Sequence, residues 1–159
     1  MTDPSGLSKA VWTDADFPQM GWHDCRIHAL GFLEDDDPSP GRLLLDLDYI
    51  VRWVEPARRE KHFTFWIAPA TLVFDEAWDI TGDIGPLHGS LEIADLHRLD
   101  PPDGDGRYPL WHLEGQGFDL KLRAWGFRQY LRTPPHHVPR QVLTMSQRGG
   151  LSFAEQAFA

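Results

Sequence analysis

At 159 residues the chain has the length of one ordinary domain, and 42% hydrophobic residues, with 7 Trp, 9 Phe and 3 Tyr, supply ample material for a core, which excludes disorder of the whole chain. The net charge of −9 comes from 24 acidic and 15 basic residues. That balance, without a basic run interleaved with aromatics, argues against direct nucleic-acid binding, and no apolar run reaches the ~18–20 residues that a membrane-spanning helix needs.

The charge is uneven. Residues 1–105 hold 21 acids and 8 bases, a balance of −13, and residues 106–159 hold 3 acids and 7 bases, a balance of +4. Acidic turns account for part of this, and an acidic face that attracts a basic protein partner is the sharper reading. The single cysteine, Cys25, excludes an internal disulfide and most thiolate metal sites. With no apolar signal stretch in residues 1–10, the expected location is cytoplasmic, with no membrane association.

Along the chain, residues 1–12 read as a flexible N-terminal segment, 13–148 as a single β-rich domain, and 149–159 as a tail or short helix. Thr13 to Met20 is a short helical turn, with Thr13 or Asp14 as its N-cap and Pro18 limiting its length. Residues 25–33 form a strand candidate, ended by the loop Asp35-Asp36-Asp37-Pro38-Ser39-Pro40-Gly41. The clearest signal follows: Leu43, Leu45, Leu47, Tyr49, Val51 and Trp53 recur at every second residue, opposed by Leu44, Asp46, Asp48, Ile50 and Arg52. Period two over eleven positions is a strand with one greasy face and one wet face.

Residues 62–67 and 71–74 read as two further strands separated by Pro69. Residues 90–96 alternate and lose phase near His97, the mark of a bulge. Leu110 to Glu114 and Phe118 to Ala124 form a hairpin about Gly115-Gln116-Gly117. Gly126 interrupts, Phe127 to Arg132 resumes in a new register, Thr133 to Pro139 is a Pro-rich loop, and residues 141–145 add a last strand. Ser152 with Glu155 matches a capping box. The fold expected is mainly β: an antiparallel sandwich or partly open barrel of seven or eight strands with one or two short helices.

The chemistry-bearing residues form no enzyme motif. His23-Asp24 lacks the further His and Asp of metal-dependent HD phosphohydrolases, and it leads into a strand rather than lying on a helix. His136 and His137, adjacent in an extended segment, point to opposite sides and cannot grip one ion together. The other histidines, His28, His62, His88, His97 and His112, have no ligand spacing. Asp103-Gly104-Asp105-Gly106 fails as a calcium loop, because Tyr108 stands where the glycine belongs. Cys25 shares a strand face with Ile27 and Ala29, which makes it a buried, inert thiol. Asp46 and Asp48 read as markers of a solvated sheet face, with Arg52 further along it and part of the face available to a partner.

Three segments carry a resemblance: Trp22-His23-Asp24-Cys25-Arg26-Ile27-His28 at the first strand, the long strand Leu43 to Trp53, and Phe65 to Phe74. Together, over roughly residues 22–75, they resemble a group of small bacterial β-rich proteins that includes some immunity proteins of toxin systems. The resemblance implies a non-catalytic partner binder, and the acidic balance would suit a basic toxin domain.

The expected function is therefore an acidic binding or interaction module without metal or cofactor, with His23, Asp24, Asp46, Asp48 and Arg52 as its binding residues. A β-barrel holding a small molecule among Trp53, Phe63, Phe65, Trp66, Trp111 and Trp125 is the first alternative. A metal-dependent enzyme using scattered His and Asp residues is the second.

Overall fold

The structure of the protein, a computed structural model, describes residues 3–34, 36, 41–87 and 89–159. The acidic loop after the first long strand, Asp36 and Gly41 excepted, and His88 lie outside the described residues.

Among the described residues ten strands form: β1 (Val11–Thr13), β2 (Arg26–Leu33), β3 (Arg42–Val54), β4 (Thr64–Asp75), β5 (Trp78–Ile84), β6 (Leu91–Leu99), β7 (Leu110–Gly115), β8 (Phe118–Arg123), β9 (Gly126–Leu131) and β10 (His136–Val138). A 3-10 helix covers Asp14–Gln19, and a single α-helical turn, α1, covers Met145–Arg148. All pairings are antiparallel, in the order β1-β9-β4-β3-β2-β6-β7-β8-β5, with β10 added to β4. No described helix is long and apolar enough to cross a membrane.

The sheet is not closed into a barrel, yet it folds over on itself. Trp111 of β7 lies four strands away from Phe74 of β4 in the sheet order, but their rings are 5.8 Å apart, and Trp111 meets Phe127 of β9 at 5.4 Å. The fold line runs between β2 and β6, which pair only at Arg26 with Glu92 and Ile27 with Leu91. Two halves therefore face each other across one core: β1, β9, β4, β3, β2 and β10 on one side, and β6, β7, β8 and β5 on the other.

The two-residue period explains the inner face. Leu43, Leu45, Leu47 and Tyr49 of β3 are buried beside Phe74, Leu72, Ala70 and Ala68 of β4, and they meet Trp111, Leu113 and Leu122 from the opposite half. Each such aliphatic or aromatic side chain contributes roughly 1.5–3 kcal/mol by leaving water. At the far end of β3 the alternation weakens. A register shift between Ile50 and Arg52 turns the strand, and Trp53 is 38% exposed rather than in the core.

Other sequence expectations meet corrections. The two strands flanking Pro69 are one, β4. Pro69 falls between the stretch that pairs with β10 and the stretch that pairs with β9, where a missing N–H breaks neither ladder. The Pro-rich loop contains β10, whose His137 is stacked on Trp66 of β4 at 4.7 Å. The bulge expected near His97 occurs earlier, between Ile93 and Asp95. Residues 141–145 form no strand. The C-terminal helix is capped by Thr144 with Gln147, not by Ser152 with Glu155, and Gly149 ends it in the left-handed conformation at φ 75°. The N-terminal segment is also laid onto the fold: Ser5 is buried, Leu7 packs against the core, and β1 pairs with β9.

Candidate functional site

The largest departure from the sequence reading concerns Asp46 and Asp48. Both are fully buried, and the face they occupy is not solvated. The chain after β10 crosses the outside of β3 and covers that face. The Ser152 N–H donates to Asp46 at 2.9 Å, the Leu143 N–H donates to Asp48 at 2.9 Å, and the Phe158 N–H reaches the Leu131 carbonyl. Arg148, itself buried, lies between the carboxylates: Nη2 donates to Asp46 at 2.7 Å and Nε to Asp48 at 3.1 Å. Arg132 adds a bond to Asp46 at 2.6 Å and another to Thr71, and His28 Nε2 stands 3.0 Å from Asp48. Burial pushes the Asp46 carboxyl up, but the bonds from Arg148, the Ser152 N–H and Arg132 outweigh it and hold the group below its usual range. Every charge here is paired inside the protein, so the network ties the C-terminal chain to β3 and offers nothing to a ligand.

Arg52 does not join these residues. The register shift after Ile50 separates it from them, and its exposed side chain donates to the Pro4 carbonyl at 3.0 Å.

His23 and Asp24 belong to a different place, at the start of β2. Asp24 is held at φ 64°, left-handed for a non-glycine residue, while its N–H donates to Ile93 across the fold line. Its carboxylate accepts from Gln141 Nε2 at 2.8 Å. His23 is exposed, with Nδ1 3.0 Å from the Ala94 carbonyl and its ring stacked on Trp53. Glu92 of β6 stands behind this pair. Burial, a hydrogen bond to Asp24 and the Asp24 charge raise its carboxyl above the ordinary value. Beside this corner a groove of about 520 Å³ opens, lined by Arg26, Trp53, His62, Phe63, Phe65, Arg140 and Gln141 among others. Trp53 packs edge-on against Phe63 and Phe65.

The second half of the sheet has its own distinct surface. Directly paired residues share a sheet face, so the register of Asp83 with Asp119 and of Asp119 with Glu114 sets three carboxylates in a row across β5, β8 and β7. They line one shallow pocket of about 320 Å³. His112 contacts Asp119, and His97 Nε2 stands 2.7 Å from Glu114, so the row is partly matched by imidazoles. Strand β5 pairs only with β8, leaving its other edge without a strand partner among the described residues. Between β5 and β2 lies an apolar trough, again of about 320 Å³, lined by Ile27, Leu30, Phe32, Ile80, Ile84 and Leu91 with further residues of β8.

Cys25 is buried, its thiol pushed up to about 12 chiefly by burial, and it accepts a weak hydrogen bond from the Ile50 N–H. Of the described histidines, His97 and His112 meet across paired strands with their rings 5.5 Å apart, but no group of three His, Cys, Asp or Glu side chains among the described residues is placed to hold a metal ion. Of the aromatics named for a barrel pocket, Trp111 is core, Trp125 is 62% exposed, and only Trp53, Phe63 and Phe65 line one groove. Comparison with family models, with curated proteins and with solved structures finds no match for this chain.

Sequence reasoning missed Glu92, Gln141 and Arg148. Glu92 and Gln141 are far from Asp24 in the chain: the fold line brings Glu92 to it, and the segment after β10 brings Gln141. Arg148 carried a signal: an arginine in the last turn of a capped helix, in the basic third of a chain with two aspartates inside its most apolar strand.

Proposed function

We propose that the protein is a non-catalytic interaction module, of the kind that immunity proteins exemplify, and that it binds a basic protein partner through the open half of its sheet. The row Asp83, Asp119 and Glu114 carries this reading. Like charges directly opposite one another destabilise a sheet, so these strands hold a repulsion, offset only in part by the contacts of His112 and His97, that a lysine or arginine from a partner relieves. The outer face of the other half is covered by the protein's own C-terminal chain, whereas no described segment covers β5, β8 and β7. The free edge of β5, flanked by exposed Trp78 and Ile84, adds backbone groups to which an extended partner segment can pair. Acidic complementarity of this type speeds encounter and selects against acidic proteins.

The test places a photo-crosslinking residue at Thr81, on the exposed strand, in the native cell. The wild-type surface should crosslink one basic protein, and the pair Asp83→Lys and Glu114→Lys should abolish that crosslink while leaving the melting temperature unchanged or higher. A crosslink that survives the charge reversal, or one to an acidic protein, removes this reading.

A further inference from the structure

The groove beside His23 and Asp24 differs from the rest of this acidic molecule. Most of the arginines in the C-terminal third face carboxylates: Arg107 contacts Asp105, Arg128 holds Asp75 and Glu155, Arg132 holds Asp46, and Arg148 holds Asp46 and Asp48. Arg26 and Arg140 have no hydrogen-bond or ion-pair partner among the described residues, and both line the groove. The Nε of Arg26 is buried with its hydrogen bond unmade. A buried donor without an acceptor is costly to fold, and such a group calls for a water, an ion or a ligand to complete it. His62 stands on the same wall, on a loop that also carries Arg58, Arg59 and Lys61.

The other wall is aromatic: Trp53, Phe63 and Phe65, with Trp53 and Phe63 both more than a third exposed. Exposed rings beside guanidinium groups suit a planar ring bearing negative charge, since the ring stacks while a carboxylate or phosphate takes charge-assisted bonds. The volume, about 520 Å³, falls within the ~300–1,000 Å³ usual for small-molecule pockets. Two acids stand near Arg26. Asp24 is engaged by Gln141, and Glu92, directly across the ladder from Arg26, feels the arginine's charge, but neither carboxylate reaches ion-pair distance of the guanidinium, which keeps its donors for a ligand. The Gln141 bond also clamps the segment carrying Pro139 and Arg140 over the start of β2, which fixes the two arginines on one opening.

We propose that this groove binds a small organic anion carrying an aromatic ring, its carboxylate or phosphate held by Arg26 and Arg140 and its ring against Trp53 and Phe63. The site is separate from the acidic face of β5, β8 and β7 and stands whether or not that face binds a protein.

The experiment titrates the full chain with 2-naphthoate and with its cationic counterpart 2-naphthylmethylammonium, following tryptophan fluorescence and the indole N–H signals. Naphthoate should bind at least about tenfold more tightly and shift the Trp53 indole signal. Arg140→Gln, an exposed position, should weaken naphthoate about fivefold or more without changing the melting temperature, and Trp53→Ala should weaken both probes. Equal or tighter binding of the ammonium probe overturns the proposal. So does an unchanged affinity in Arg140→Gln, a naphthoate response confined to the apolar trough at Ile80 and Ile84, or no binding at millimolar concentration.

Discussion

At the scale of single residues, position within a strand did not decide between wet and buried for Asp46 and Asp48. A carboxylate entering a core loses hydration worth several kcal/mol, and it is tolerated only when its lone pairs are filled by good donors. Here Asp46 receives two arginines and a backbone N–H, and Asp48 receives Arg148, the Leu143 N–H and His28. Removing one member strands the others. Arg148→Met is therefore expected to destabilise the protein by about 3–5 kcal/mol, because two buried carboxylates lose their shared cation. Urea denaturation measures this. A loss under about 1 kcal/mol would mean that water reaches the pair and that the carboxylates are not sealed from solvent. Replacing the whole set, Asp46→Leu with Asp48→Leu and Arg148→Met, should recover much of that loss, since apolar side chains of similar volume carry no desolvation cost.

Elements show which parts of the sequence could be read. Strand β3 and the hairpin of β7 and β8 were legible because one face of each meets the core, so the alternation of Leu43, Leu45 and Leu47, or of Phe118 and Leu122, survives in the sequence. The turn was legible too: Gly117 sits at φ 88°, where a side chain would be strained. Strand β5 was not, because an exposed edge strand with Gly82 and a register shift between Trp78 and Thr81 has no buried face to write a pattern. The C-terminal chain was illegible for a related reason. It has no regular structure, and its effect is to bury someone else's face. Phe153 packs directly over Gly31, where a Cβ would stand 3.1 Å from its ring, and Glu155 pairs with Arg42 and Arg128. Ending the chain after Gly150 should uncover Leu44 and Asp46 and lower the melting temperature by roughly 2–8 °C, the effect of losing one to two kcal/mol in a domain of this size. An unchanged melting temperature would show that the segment merely lies on the surface. Of the site residues, His23 and Asp24 were legible as a polar pair, whereas Glu92 reaches them only through the fold line between β2 and β6, and Gln141 only through the segment after β10.

Across the whole molecule, the split between an acidic first two-thirds and a basic remainder is mostly internal pairing. Arg128, Arg132 and Arg148 come from the basic third, while their partners Asp75, Asp46 and Asp48 come from the acidic part, with Glu155 the exception. Stability should therefore depend on acid in a particular direction. Asp46 has a folded-state carboxyl below its unfolded value of about 3.9, so its contribution is complete above that pH and disappears as pH falls through the folded value. Glu92 acts oppositely. Its carboxyl is raised in the fold by burial and by the bond and charge of Asp24, so it opposes folding at neutral pH, and that opposition fades as pH falls through the raised value. Melting temperature followed from pH 7 to pH 2 separates the two. The wild type should lose stability chiefly below about pH 4, and Asp46→Asn should be less stable at neutral pH but show a shallower acid limb. Glu92→Gln should raise the melting temperature at pH 7 and converge with the wild type below about pH 4, where both side chains are neutral. An acid limb equally steep in Asp46→Asn would mean that carboxylates other than the buried network govern acid unfolding, and that the pairing between the two charge regions of the chain contributes little to the fold.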